Sequence, residues 1–191
     1  MSRVHPIIEV FFKGKCWSLD PTETDANCTF GGPLTAHAES KVSLRKAVLH
    51  HLGAINLPRF GVGSRFGFSL PLLYGICHEG CELAYCKKAS NAIEVTSLEP
   101  KKVSPDYPYP NYPTILPYYQ LGIASEENTP FEELIDRLGN TGWGLDAERM
   151  YIIVMQHPHI GHSLFEGDDD LEIIFEFDPR TGEVRSTSQC G

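Results

Sequence analysis

Two strongly apolar runs, Met150–Met155 and Leu171–Phe177, constrain the fold of this chain more than any other feature. Both read as strands of a sheet. The stretch between them is polar: His157, His159 and His162 come first, followed by Gly167 and the acidic triplet Asp168–Asp170. That insert is either a metal site or the wet end of a sheet, and the residues alone admit both.

The flanking segments extend the pattern. Asp178-Pro-Arg-Thr-Gly182 has the composition of a hairpin turn, with Gly182 placed for the positive φ of a bulge, and Glu183 to Gln189 alternates as a closing strand. At the other end of the chain, Ile7 to Phe12 and Cys16 to Leu19 predict an opening hairpin about Lys13-Gly-Lys15. Asp20 to Glu39 is rich in Thr, Asp, Asn, Gly and Pro and predicts a long surface loop. Further strands are expected over Arg65 to Ile76, Glu82 to Lys87 and Ala92 to Leu98. The prolines and tyrosines of Pro100 to Pro117 predict an extended connection.

Helical spacing occurs twice. Ser43 can cap a first helix in which Leu44, Ala47, Val48, His51 and Leu52 share a face and Gly53 is the stop. A second begins at Thr129-Pro130, with Thr129 as the cap, Pro130 at the first helical position and Glu132 and Glu133 at the positive end of the macrodipole, and it runs to Leu138. Strands without regular strand-helix alternation predict an α+β fold: a mainly antiparallel sheet with two short helices packed on it, in a single domain over 1–191.

The formal charge of −9 opposes a nucleic-acid role, because phosphate neutralisation needs a clustered excess of Lys and Arg. The start of the chain lacks the features of a secretory signal, and no segment is long and apolar enough to span a bilayer. A cytoplasmic protein with free thiols at Cys16, Cys28, Cys77, Cys81, Cys86 and Cys190 is therefore expected.

Three constellations have chemical potential. His157 and His159 would share one face of a strand, and with His162 and Asp168 or Asp169 they would form a zinc site of hydrolytic type. Cys77, Cys81 and Cys86 depart from zinc-knuckle spacing and read better as a turn between strands with small buried thiols. Aromatic residues, among them Trp17, Tyr107, Tyr109, Tyr112 and Trp143, suit a binding surface, or else they pin the long connection to its own sheet.

Several fragments together resemble the YwqG-like family of bacterial proteins: Phe30-Gly-Gly-Pro33, Ile55-Asn-Leu-Pro58, Gly167-Asp168 ahead of an apolar strand, and the closing Gln189-Cys190. The resemblance implies an antiparallel α+β fold and assigns no catalytic residue. The Trp-Pro expected soon after the Gly-Gly-Pro is missing here. The acidic charge and the aromatic loops, taken together, read as a binding protein without a cofactor whose acidic surface meets a basic partner, such as an immunity protein that neutralises a basic nuclease. The alternative is a zinc-dependent hydrolase built on the histidine cluster.

Overall fold

A computed structural model of the chain describes residues 7–40, 49–76, 78–88, 92–99, 102–103, 115–155 and 171–190. The opening hairpin is formed by β1 (Ile8–Phe12) and β2 (Lys15–Pro21). Lys13 and Gly14 join them with φ of 50° and 73°, the two positive values of a type I′ turn, whose twist matches that of the strands it links.

The segment predicted to be a loop contains β3 (Cys28–Phe30) and β4 (His37–Ser40). The first predicted helix is a further correction. Residues 41–48 lie outside the described residues, and its last part is β5 (His50–Asn56), paired with β3 on one side and with β6 (Ser69–Tyr74) on the other. Tertiary pairing overrides the helical spacing there. Gly53, expected to stop a helix, instead lets two strands close up: its φ is 147°, and an added Cβ would fall 2.1 Å from the Thr29 carbonyl oxygen.

The remaining strands are β7 (His78–Glu79), β8 (Glu82–Lys87), β9 (Ala92–Glu99), β10 (Lys102–Val103), β11 (Tyr119–Asn128), β12 (Met150–Val154), β13 (Leu171–Phe177) and β14 (Glu183–Cys190). The one α-helix among the described residues is α1 (Phe131–Leu138). The architecture is therefore mainly β, and two helices packed on an α+β sheet overstates its helical content. No helix among the described residues is long and apolar enough to cross a membrane.

Among the described residues twelve strands form one sheet in the order β4-β9-β8-β14-β13-β12-β1-β2-β11-β3-β5-β6, and of their pairings only β4·β9 is parallel. The sheet curls until its margin strand β6 meets β8 and β14. Tyr85 donates its hydroxyl to the Pro71 carbonyl at 2.7 Å and lies 3.3 Å from the Leu73 amide, while the Ser186 hydroxyl donates to the Leu73 carbonyl at 3.2 Å. Pro71 has no N–H to offer. Side chains thus satisfy the open edge of β6 that a backbone ladder would otherwise have to cover.

The apolar runs now have a physical cause. Met150, Ile152 and Val154 of β12 enter the core enclosed by the curled sheet, and Tyr151, Ile153 and Met155 enter a second cluster on its outer face. Leu134 and Leu138 of α1 pack onto that outer cluster together with Phe11 and Ile174. A strand covered on both faces has no polar side to display.

Candidate functional site

The outer face around α1 carries the densest polar structure among the described residues. Cross-strand register builds its centre: Glu176 of β13 stands opposite Tyr151 of β12 and Arg185 of β14. Only 1% of Glu176 is exposed, and Arg149 and Arg185 both donate to its carboxylate. The Tyr151 hydroxyl is 3.2 Å from the same carboxylate and accepts the Asp146 N–H at 2.8 Å. Burial pushes the Tyr151 phenol up to about 12, so it stays protonated. An uncompensated buried carboxylate would be costly; two guanidinium groups offset that cost here.

The network continues into the turn after β13. Arg180 donates to Asp178 at 3.0 Å and to Asp146 at 3.1 Å. The Arg180 hydrogen bond holds Asp178 below the usual carboxylate range, and the Glu148 N–H does the same for Asp146, assisted by Arg180. On the other side, the Arg185 guanidinium lies 5.1 Å from the Trp143 ring centre, a cation–π distance.

A second clamp fixes α1. Arg137, the cation of its last turn, bends beneath the helix to donate to Glu9 and, at 2.9 Å, to Glu172. Gln189 donates to Glu172 and to the Arg137 carbonyl. The exposed side of α1 is left with Glu132, Glu133 and Asp136, beside an Ile135 that is 43% exposed. Glu127 of β11 stands opposite Cys16, whose side chain packs into the outer cluster, so it adds a carboxylate to the same face. The expected Thr129 cap is absent. Pro130 holds the cap position without a side-chain hydrogen bond, and the Thr129 amide donates to the Gly14 carbonyl.

Two clefts flank this assembly. One, of about 420 Å³, opens between the β1–β2 turn and the start of α1; the other, of about 190 Å³, lies beside Trp143 and Arg185. Arg149 lines the first and Arg185 the second, so Glu176 ties together a residue of each.

Among the aromatic candidates, Trp17 is a core residue: it is 7% exposed, meets Phe60 edge-on at 5.3 Å, and donates its indole N–H to Glu126 at 2.9 Å. Trp143 is half-buried on the outer face. Tyr107, Tyr109 and Tyr112 lie outside the described residues, as do His157, His159, His162, Asp168, Asp169 and Cys77. Cys81 is buried and Cys86 half-buried. Among the described residues, no group of three or more His, Cys, Asp or Glu is placed to hold a metal ion. Burial pushes the Cys16 thiol up to about 12 and that of Cys28 to about 11, which keeps both in the unreactive protonated form. His51 is a structural residue of β5, its Nδ1 3.2 Å from the Gly32 carbonyl.

Sequence reasoning missed Glu176, Arg149, Arg185 and Arg137. The two glutamates inside the apolar run at 171–177 were the available signal, since a charge amid buried neighbours needs a partner. Comparison with protein-family models, with curated proteins and with solved structures finds no match.

Proposed function

We propose that the protein works by binding a partner with a basic surface, through the carboxylates presented by α1 and β11. The observation that supports this reading is the inward turn of Arg137. Because that cation is spent on Glu9 and Glu172, the exposed side of α1 is left acidic around one exposed isoleucine. An apolar anchor rimmed by like charges suits a partner of opposite sign, which it would attract at long range and then grip at short range. An immunity-type protein that neutralises a basic nuclease is the concrete form of the proposal.

The test is capture of partners on immobilised protein at about 0.05 M and about 0.5 M salt, a range that shortens the screening length several-fold. The comparison is a variant carrying Glu132→Gln, Glu133→Gln and Asp136→Asn, checked for native circular dichroism. A basic partner that wild type holds at low salt, and that both high salt and the variant release, supports the reading. Retention of every partner by the variant sinks it.

A further inference from the structure

The larger cleft has the features of a small-molecule site, a reading that does not rest on the proposed partner. Its volume of about 420 Å³ falls within the range of organic-ligand pockets. Phe11, Phe131 and Leu134 give it an apolar wall. Its charge runs against the rest of the molecule: Lys13, Lys15 and Arg149 line it against the single carboxylate of Glu148, in a chain of net charge −9.

The three cations are not equivalent. Lys15 is 2.5 Å from Glu126, and Arg149 is committed to Glu176. Lys13 has no carboxylate partner among the described residues, and its ammonium stands 5.1 Å from the Phe12 ring centre. Its backbone is also unusual. At φ 50° it occupies the first left-handed position of a type I′ turn, where Asn, Asp or Gly would sit at less cost. A lysine there places a cation in the cleft lining at the expense of the turn, and strain of this kind concentrates at functional sites.

We infer that this cleft binds a small amphipathic carboxylate, with its aromatic or aliphatic body against Phe11, Phe131 and Leu134 and its head group paired with Lys13. One cation without a carboxylate partner among the described residues, beside an apolar wall, fits a single negative head group on a carbon skeleton.

The experiment is amide-resolved nuclear magnetic resonance of the full chain, titrated with phenylbutyrate and, separately, with the neutral phenylbutanol. The expected result is saturable shifts of Gly14, Lys15, Thr129 and Ala147, with the carboxylate bound about tenfold more tightly than the alcohol, the effect of one useful ion pair. Lys13→Asn, which suits the turn and preserves the fold, should abolish that preference while leaving weak alcohol binding; Phe131→Ala should weaken both ligands. Equal affinity for the two probes, shifts centred elsewhere, or an unchanged preference in Lys13→Asn would overturn the inference.

Discussion

Lys13 and His51 show how much a single position reveals once its backbone is known. Lys13 lies in the left-handed region, where a residue with a long side chain is disfavoured by about 1–2 kcal/mol relative to glycine. Asparagine tolerates that conformation better, so Lys13→Asn is expected to stabilise the protein by roughly 0.5–1 kcal/mol in urea unfolding. No gain, or a loss, would mean that the lysine makes a stabilising contact the turn depends on. His51 carries a pH dependence of definite sign. Burial lowers its folded-state pKa, with hydrogen bonding to the Gly32 backbone opposing the shift. The unfolded chain takes up a proton at this residue from about pH 6.5 downward, before the folded protein does. Stability due to His51 is therefore complete above about pH 6.5 and declines as pH falls toward the depressed folded value. His51→Gln should flatten the stability profile over that interval; an unaltered slope between pH 7 and pH 5 would assign it to other groups.

Among the elements, β6 invites the sharpest test because its outer edge is closed by side chains. Tyr85→Phe removes the hydroxyl that serves the Pro71 carbonyl and the Leu73 amide. It should cost about 1–3 kcal/mol, the range for stranding a buried polar group. Hydrogen exchange at Leu73 should accelerate more than at Leu70; a uniform acceleration along β6 would place the loss elsewhere. The same elements show what the chain discloses by itself. The runs that became β12 and β13, the turn at Asp178–Gly182, the opening hairpin and α1 were legible because their signals are local. β5 was not, since Leu52, which fits a helix face, faces the enclosed core from a strand whose neighbours arrive from elsewhere in the chain. Trp17 suits a partner surface in sequence, yet its ring is buried against Phe60 and its indole N–H is taken by Glu126 of β11. The ion-pair centre was legible only in part: the turn at Asp178–Gly182 sets Glu176 opposite Arg185, whereas Arg149 and Tyr151 reach the same carboxylate through the pairing of β12 with β13, which no local signal encodes.

At the scale of the whole molecule, the curled sheet separates two apolar layers that share β1, β12 and β13. The inner layer draws on strands from almost the entire sheet, whereas the outer one depends on α1 and the loop residues Trp143 and Leu145. The cooperativity should follow that asymmetry. Losing α1 exposes Tyr151, Ile153 and Ile174 but leaves the backbone ladders of β12 intact, so α1 can detach without global unfolding. In native-state hydrogen exchange the amides of Ile152, Val154 and Phe175 should exchange at the global unfolding free energy. Those of Leu134, Ile135 and Leu138 should exchange at a distinctly lower one. Leu134→Ala, costing about 2–4 kcal/mol of local packing, should widen the gap by speeding exchange in α1 more than in β12. If α1 and β12 instead exchange at one common free energy in both proteins, the helix is part of the global folding unit and the Arg137 clamp to Glu9 and Glu172 couples the layers more tightly than their packing does.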